Sequence, residues 1–326
     1  MRTSVLAVGE ALVDVVDDGT TTREHPGGSS YNVAVGLARL GTPVELATSV
    51  GPDARGRLLR EHLAAAGVRV TAGSARATPT STSVARLRPD GSAEYDFDVE
   101  WTFTPPPAAE LPALVHTGSL GAFVEPGGAA VEALADALPA RCLLTFDPNV
   151  RPALMGGRTA ALRRVGVLAR RAVLVKTSDE DAAWLFPGRT PEEVVAALLE
   201  EGPAVVVVTR GAAGALLASR AATVAVPPHV VDVVDTVGAG DSFTAALLAG
   251  LADLLDAGRT PDELRAGHLF TAERLTAMGI IAARCAALTC SRPGADPPTR
   301  ADLDDLAAPP TPTTTSAATP TPGSPS

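Results

Sequence analysis

Ten residues, Asp235 to Thr244 (DTVGAGDSFT), carry the clearest chemical signal in this sequence. Gly238 and Gly240 predict a turn, and the apolar run that begins at Ala245 predicts a helix directly after it. The first N–H groups of a helix have no partner within the helix and therefore bind anions. A carboxylate beside such a site, here Asp241, can take a proton from a hydroxyl. The segment predicts the transfer of a phosphoryl group from a nucleotide to an alcohol.

Asp241 also has a simpler interpretation. An acidic residue in the first turn of a helix stabilises the helix dipole by ~0.3–1 kcal/mol. That role would not require Gly238 and Gly240, which let a backbone loop approach a ligand closely. The segment lacks the Gly-Lys-Ser/Thr ending of a P-loop, and Lys176, the only lysine in the chain, is distant in sequence. We therefore favour Asp241 as a catalytic base.

A second glycine segment, PGGSSYN, runs from Pro26 to Asn32 just before a predicted helix. One interpretation is a simple helix entry, with Ser29 or Ser30 as the N-cap. The other is a polyol site, in which Gly27 and Gly28 expose the backbone and Asn32 offers both a donor and an acceptor to hydroxyls.

Asp14, just past the first predicted strand, is a candidate to accept two sugar hydroxyls. Its neighbours Asp17 and Asp18 are equally compatible with a solvated acidic loop.

Three further polar segments each follow a predicted strand, and ligands of open α/β sheets bind at the carboxyl ends of strands. In the first, DPNVR, Arg151 is a candidate phosphate contact. In the second, KTSDED from Lys176 to Asp181, the acidic residues could form a pocket for hydrated Mg²⁺. The third, TRGAAG from Thr209 to Gly214, could contact a nucleotide. A turn, a helix start and a hairpin are the respective alternatives.

The elements that position these segments alternate between strand and helix, which is typical of a mostly parallel sheet covered by helices. The predicted strands are 4–8, 44–50, 114–117, 143–146, 172–176, 204–209, 214–218 and 223–226. The predicted helices are 31–40, 56–66, 127–138, 158–170, 191–201, 241–256 and 261–287.

Two regions depart from this alternation. Two alternating runs, 82–87 and 93–99, flank Pro89-Asp90-Gly91 and predict a β-hairpin, which we interpret as part of a small β lid. The final segment, 307–326, consists of Pro, Thr, Ser, Ala and Gly and predicts disorder, because it has no large apolar side chain to bury. We therefore expect one folded domain at 1–306, with lid segments near 12–26 and 80–104.

The bulk composition restricts the classes of partner. The 326 residues carry a net charge of −10 and show no basic patch, so we do not expect nucleic acid binding. No apolar run reaches the roughly 18 residues of a membrane span. Three cysteines form no metal-ligand spacing and leave one unpaired in any disulfide scheme, which fits a reducing cytoplasm.

Taken in order, these motifs resemble the PfkB, or ribokinase-like, family of carbohydrate kinases. Two segments carry the resemblance: the N-terminal Gly27-Gly28 with Asn32, Gly36 and Gly41, and the highly specific Asp235–Asp241 segment. The match spans roughly residues 3 to 300. It implies an α/β fold with a central, mostly parallel sheet, helices on both faces and a small β lid over the sugar.

The resemblance also implies ATP and Mg²⁺ as cofactors and assigns roles to individual residues. Asp241 matches the catalytic base, the amides of Val237 to Gly240, including Ala239, match the anion hole, and Arg151 is a candidate phosphate contact. The implied sugar contacts are Asp14, Gly27, Gly28 and Asn32. The implied nucleotide contacts are Lys176, Ser178, Thr209, Gly211 and Gly214.

Two metal assignments follow from the same resemblance. The family's Asn-x-x-Glu motif aligns with Ser178 to Asp181, so Asp181 would hold magnesium through water; Ser replaces Asn and Asp replaces Glu. Many members also bind K⁺, using the equivalent of Asp235 and carbonyls near Arg292 to Gly294.

Within the family, Val8 to Asp14, His116 to Ser119, Asp147 to Arg151 and Lys176 to Glu180 resemble both fructokinases and 2-keto-3-deoxygluconate kinases. A keto acid needs a cation for its carboxylate, which Arg86, Arg88 or Arg151 could supply.

Other members of the fold remain alternatives: a ribokinase, a nucleoside kinase that stacks a base on Tyr95, Phe97, Trp101 or Phe103, or a non-catalytic sugar sensor. The exposed edge of the hairpin is a candidate homodimer surface.

Overall fold

The computed structural model describes residues 2–76, 78–87 and 93–307. Its strands are β1 (Val5–Val8), β2 (Leu12–Asp17), β3 (Thr22–Gly27), β4 (Val44–Ala47), β5 (Arg69–Val70), β6 (Thr82–Leu87), β7 (Ala93–Asp98), β8 (Leu114–Gly118), β9 (Leu143–Asp147), β10 (Ala172–Ser178), β11 (Val205–Thr209), β12 (Ala215–Ser219) and β13 (Thr223–Val226).

The α-helices are α1 (Ser29–Arg39), α2 (Ala54–Ala65), α3 (Ser119–Phe123), α4 (Gly127–Ala137), α5 (Arg158–Ala169), α6 (Asp179–Leu185), α7 (Pro191–Glu201), α8 (Ala239–Asp256), α9 (Pro261–Ala266), α10 (Ala272–Cys290) and α11 (Arg300–Ala307). None of the helices in these ranges is both long and apolar enough to cross a bilayer.

Nine strands form one large sheet in the order β13-β12-β11-β10-β9-β8-β1-β4-β5. Every neighbouring pair from β11 to β5 is parallel, and only β12 and β13 are antiparallel to their neighbours. The predicted α/β fold with a mostly parallel central sheet is confirmed.

Two hydrophobic cores cover the two faces of this sheet, as the alternation of side chains along a strand requires. In β1, Val5 and Ala7 belong to the core that also contains residues of α1, α8 and α10. Leu6 and Val8 belong to the other core, with residues of α4, α5 and α7. Strands buried on both faces explain the continuous apolar runs such as Val205–Val208. The helices therefore lie on both faces, as expected.

A second, four-stranded sheet has the order β3-β2-β6-β7, and we call it the small sheet. Strands β6 and β7 pair antiparallel from Thr82 with Asp98 to Leu87 with Ala93, so the predicted hairpin is present. Its turn, with Arg88 and Pro89-Asp90-Gly91, lies outside the described residues. The segment that follows residue 307 also lies outside them.

The single helix predicted over 261–287 is wrong. The chain forms α9 and then α10, because Gly267 follows α9 with φ +79°. A left-handed glycine ends a helix by satisfying its last carbonyls. The side chain of Thr271 then caps the start of α10 by accepting the N–H of Arg274. The sequence pattern predicted one helix because the apolar periodicity continues through both α9 and α10.

Candidate active site

Two adjoining cavities lie at the carboxyl ends of β9, β10 and β11. The first has a volume of about 590 Å³, is lined by Asp14, Asp181 and Asp241, and is called the acidic cavity here. The second has a volume of about 470 Å³, is lined by apolar side chains that include Phe243, and is called the apolar cavity. Both are lined by Thr209, Gly211, Thr236 and Gly240. The two cavities therefore meet at the start of α8.

Asp241 lies in the first turn of α8 with only 7% of its surface exposed. The Ser29 hydroxyl donates to its Oδ1 (2.7 Å), and the Asn32 side-chain amide donates to its Oδ2 (2.8 Å). Burial raises the pKa of Asp241, and these two hydrogen bonds act in the opposite direction. A buried carboxylate with a raised pKa that faces a cavity has the properties of a general base.

Asn32, a predicted sugar contact, lines the acidic cavity. Its amide N–H₂ group contacts Asp241, which leaves the amide oxygen as the group that makes no hydrogen bond within the described residues.

The turn before α8 presents free backbone amides to the cavities. Gly238 has φ +76° and precedes the first helical residue. Among the described residues, the amides of Gly238, Gly240 and Asp241 have no hydrogen-bond acceptor. The amides of Val237 and Ala239 are already bonded, to Asp235 Oδ1 (3.0 Å) and Thr236 O (3.3 Å). The predicted anion hole over 237–240 is therefore corrected to the amides of 238, 240 and 241.

The side chain of Lys176 belongs to a buried hydrogen-bond network beneath this turn. Its Nζ donates to Asp147 Oδ2 (2.9 Å), which also accepts the Thr244 hydroxyl (3.0 Å). Burial alone would lower the pKa of Lys176, but the adjacent Asp147 carboxylate, together with Asp181 and Asp241, more than offsets this, so the pKa is raised. A Cβ on Gly240 would lie 3.0 Å from Nζ. The ammonium therefore stays charged directly behind the free amides.

Asp14 lies in β2, in a row of residues across the small sheet. Its register partners are His25 and Ser83, and Ser83 pairs with Phe97. Asp14, Ser83 and Phe97 all line the acidic cavity. Burial raises the pKa of Asp14, and the hydrogen bond with Ser83 opposes this. The small sheet thus covers the acidic cavity with one carboxylate and one aromatic ring.

Gly27 and Gly28 make room for these side chains. A Cβ on Gly27 would lie 2.2 Å from Asp14 Oδ2, and a Cβ on Gly28 would lie 2.6 Å from the carbonyl oxygen of Glu10. Gly28 also has φ +110°, which other residues rarely adopt.

Arg86 does not reach either cavity, so its assignment as a substrate contact is corrected. Side chains alternate along a strand, and Arg86 is three positions from Ser83. Its side chain therefore lies on the opposite face of β6, where it forms an exposed ion pair with Asp96 (3.5 Å).

Arg151, in contrast, lines the acidic cavity. Its Nη1 donates to Asn149 Oδ1 (2.9 Å) and to the carbonyl of Val150 (3.0 Å). Its charge also favours the ionised form of Asp14 across the cavity. Arg151 is therefore a cation available to an anionic ligand.

Ser178 and Asp181 form a capping box at the start of α6. The Ser178 hydroxyl accepts the N–H of Asp181, and Asp181 Oδ2 accepts the N–H of Ser178 (3.4 Å). Asp181 Oδ1 accepts the N–H of Val150 (3.0 Å). Burial, followed by the nearby Asp147, raises the pKa of Asp181. Both residues line the acidic cavity, but each already has a structural partner.

Thr209, Gly211 and Gly214 lie around the apolar cavity. Gly211 (φ +48°) and Gly214 (φ +83°) turn the chain from β11 into β12, and a Cβ on Gly214 would lie 2.1 Å from the carbonyl of Val226. The other wall comes from α10, with Ala283, Ala287 and Cys290. The residues of these two walls are therefore small, and the cavity between them is mainly apolar.

Asp235 lines neither cavity. Its Oδ2 accepts the N–H of Gly294 (2.9 Å) and its Oδ1 accepts the N–H of Val237. It therefore ties the turn before α8 to the segment that follows α10.

Ser29 and Glu10 are among the site residues that the sequence prediction missed. Ser29 is not the N-cap of α1, since Gly28 occupies that position; its hydroxyl contacts Asp241 instead. Glu10 lines the acidic cavity and is 3% exposed. The sequence offers one signal for Glu10: it directly follows the apolar strand and Gly9. A charged side chain that is buried at such a position needs hydrogen-bond partners.

Comparison with known proteins agrees with this geometry. The model of the pfkB family carbohydrate kinases matches residues 2–302. A fructokinase of Rhizobium leguminosarum bv. trifolii is 34% identical over 262 residues, covering 76% of this chain and 79% of the relative. A fructokinase of Klebsiella pneumoniae is 32% identical over 281 residues, covering 82% and 89%.

Solved structures share the fold across nearly the whole chain. A fructokinase of Vibrio cholerae O395 in fructose, ADP and calcium ion bound form has 26% identity and a TM-score of 0.75, covering 93% of this chain and 98% of that one. An aminoimidazole riboside kinase of Salmonella enterica has 26% identity and a TM-score of 0.76, covering 94% and 100%.

The chain belongs to the pfkB family of carbohydrate kinases and has the ribokinase-like α/β fold. It is a phosphotransferase that acts on a carbohydrate hydroxyl.

Proposed function

We propose that this protein is a fructokinase that transfers the γ-phosphoryl group of ATP to a hydroxyl of fructose. The observation that carries the proposal is the position of Asp241. It faces the acidic cavity one residue after Gly240, which lines both cavities, and the free amides of Gly238, Gly240 and Asp241 belong to the same turn. Relatives named fructokinase, and a related structure with fructose and ADP, support the choice of sugar and nucleotide.

In this proposal the sugar occupies the acidic cavity and the adenine base occupies the apolar cavity. The sugar contacts are Asp14, Gly27, Gly28 and Asn32, and the nucleotide contacts are Lys176, Ser178, Thr209, Gly211 and Gly214. Asp241 takes the proton of the attacking hydroxyl. The amides of Gly238, Gly240 and Asp241, with Arg151 beside them, hold the phosphoryl oxygens as negative charge develops on them.

The residues present fit a hydrated Mg²⁺ that is held mainly by phosphates. No group of three metal-binding side chains occurs within 2–76, 78–87 and 93–307. Asp181 lines the acidic cavity and would hold the ion through water, since magnesium keeps several waters and needs only one or two carboxylates. The ion neutralises charge on the phosphates when bound. Asp235, tied to Gly294, is the proposed K⁺ contact.

The proposed organisation is one kinase domain over 1–306, in which the small sheet acts as a lid. The edge strand β7 is the proposed surface for a homodimer, because an unpaired strand edge offers backbone groups to a second chain. Cys142, Cys285 and Cys290 are free thiols, which supports a reducing cytoplasm.

A turnover panel tests the proposed function. ADP formation is measured with Mg·ATP and fructose, 2-keto-3-deoxygluconate, ribose or adenosine, beside a blank without acceptor. We expect the largest kcat/KM with fructose. A larger value with any other acceptor would reject fructokinase but keep the kinase.

A 2-keto-3-deoxygluconate kinase is the second candidate, because Arg151 is a cation in the acidic cavity. If the keto acid is the substrate, Arg151→Met should raise the KM for the keto acid far more than the KM for any neutral sugar.

A further inference from the structure

Glu10 is a buried carboxylate that joins the starts of two helices. It follows β1, lines the acidic cavity, and has both oxygens in hydrogen bonds to backbone amides. Oε1 accepts the N–H of Ser29, the first residue of α1, and Oε2 accepts the N–H of Gly121 in α3, each at 2.8 Å. Two such bonds to one ionised side chain hold both backbones in place.

The surrounding chain is built to admit this carboxylate. A Cβ on Gly121 would lie 2.4 Å from the Cα of Gly9 and 3.3 Å from Glu10 Oε2. A Cβ on Gly9 would lie 2.2 Å from the Ser30 hydroxyl. Glycines at both positions, together with Gly28, let three chain segments close around Glu10.

Two hydrogen bonds connect Glu10, through Ser29, to the proposed catalytic base Asp241. The backbone N–H of Ser29 is held by Glu10, and the Ser29 hydroxyl donates to Asp241 Oδ1 at 2.7 Å. We infer that Glu10 is a positioning residue: by fixing Ser29, it holds the Asp241 carboxylate in the orientation that meets the sugar hydroxyl. This inference rests on the proposed function and adds to it a residue that acts on the proposed base through Ser29.

The surroundings of Glu10 in the acidic cavity also set its pKa. The charged groups that line the same cavity are the carboxylates Asp14, Asp179, Glu180, Asp181 and Asp241 and the cations Arg151 and Lys176. Burial, with a smaller contribution from Asp241, raises the pKa of Glu10 to about 7. Glu10 is therefore largely protonated below about pH 7, so its charge does not act on Asp241 on the acidic side of the pH profile.

Glu10→Gln is the first test. An amide oxygen can accept one of the two N–H groups, but the –NH₂ group cannot accept the other. We expect kcat with the preferred sugar to fall by roughly 10- to 10²-fold, since small misplacements of catalytic groups have effects of that order. The KM for ATP should stay within about twofold, because Glu10 does not line the apolar cavity. The acidic limb of the kcat–pH profile should keep its position, because Glu10 is already protonated there.

Glu10→Asp keeps the carboxylate but shortens the reach, so its kcat should fall while its KM for ATP stays close to that of the wild type. It also keeps the test informative if the glutamine variant does not fold. Ser29→Ala removes the intermediate hydroxyl. If Glu10 acts through Ser29, the double variant Glu10→Gln/Ser29→Ala should lose no more than the larger single loss.

The matched control is Asp53→Asn, since Asp53 also accepts two backbone N–H groups, from Gly56 and Thr80, outside both cavities. Its melting temperature should fall while its kcat stays close to that of the wild type. Wild-type kcat in Glu10→Gln, additive losses in the double variant, or a KM for ATP that rises together with the loss of kcat would each overturn the inference. A wild-type protein that phosphorylates no acceptor would instead reject the proposed function.

Discussion

Opposing effects act on the carboxylate of Asp241. Burial raises its pKa, while hydrogen bonds from Asn32 and Ser29 favour the charged form, and burial dominates. A base with a higher pKa takes a proton more readily, provided that it is ionised at the working pH. The helix N-terminus of α8 helps to keep it ionised. The chemistry of the site therefore depends on this balance as much as on the residue type.

Asp241→Asn tests the base directly. The amide is nearly the same size but cannot accept the hydroxyl proton, so we expect kcat to fall by ~10²–10⁴-fold. Fructose affinity, measured by calorimetry, should change only a few-fold. Asp253→Asn, an exposed carboxylate later in α8, is the control and should keep its kcat. Near-normal turnover by Asp241→Asn would contradict the assignment.

Glu10 also makes stability depend on pH. Its folded pKa of about 7 lies above the ordinary value of 4.5, so the folded state binds the proton more tightly than the unfolded state. Its contribution to stability is therefore complete below about pH 4.5 and is lost as the pH rises through about 7. The full difference corresponds to about 3 kcal/mol.

The measurement is urea unfolding of wild type and Glu10→Gln at pH 5 and pH 8. The free energy of unfolding of the variant relative to wild type should increase between these pH values. An unchanged difference would show that Glu10 has an ordinary pKa in the folded protein.

At the scale of elements, the turn before α8 is packed against the segment that follows α10. A Cβ on Gly238 would lie 2.6 Å from the Cβ of Ala295. Asp235 ties the same two segments together through Gly294. The packing between these two segments, which are far apart in sequence, therefore fixes the direction of the free amides.

Gly238→Ala should be costly both in stability and in turnover. The matched control is Gly258→Ala: Gly258 has a similar φ of +87° but has no atom within 4 Å of its Cβ position. The control should lose only the ~1–2 kcal/mol of a left-handed alanine. Gly238→Ala should lose more and should raise the KM for ATP, as measured by urea unfolding and initial rates. Equal losses in the two variants would contradict the close packing.

The small sheet contributes Asp14, Ser83 and Phe97 to the acidic cavity, so its position should control access of water. If it closes over the sugar, ATP hydrolysis without fructose should be slow, because water is excluded only in the closed site. Coupled-enzyme assays with and without fructose measure the two rates. Equal ADP formation in both would count against a closing lid.

The fold was predictable because periodicity and turn residues agree along most of the chain. A β-branched run indicates strands such as Val205–Thr209. The glycine turn before α8 indicates the start of that helix. The placement of Arg86 was not predictable, since it depends on which face of β6 meets the cavity. The Glu10–Ser29–Asp241 contacts were not predictable either, because they join residues up to 212 positions apart.

At the scale of the whole molecule, the composition of residues 307–326 predicts that this segment adds no stability. A chain that ends at residue 306 should keep its melting temperature within about 1 °C and its kcat and KM within experimental error, because a Pro/Thr/Ser-rich segment buries little apolar surface. Thermal unfolding and initial rates of both chains make the comparison. A clear loss in the shorter chain would show that the segment packs against the domain.

The buried lysine has a practical consequence for the whole chain. Lys176 is the only lysine in 326 residues, and it lies under α8 in an ion pair with Asp147. A lysine-specific endoprotease therefore has one cleavage point, which divides the polypeptide into 1–176 and 177–326. Native molecules should resist digestion and unfolded ones should yield two pieces. The intensity of the two product bands on a gel, relative to that of the intact chain, would then measure the fraction of unfolded molecules.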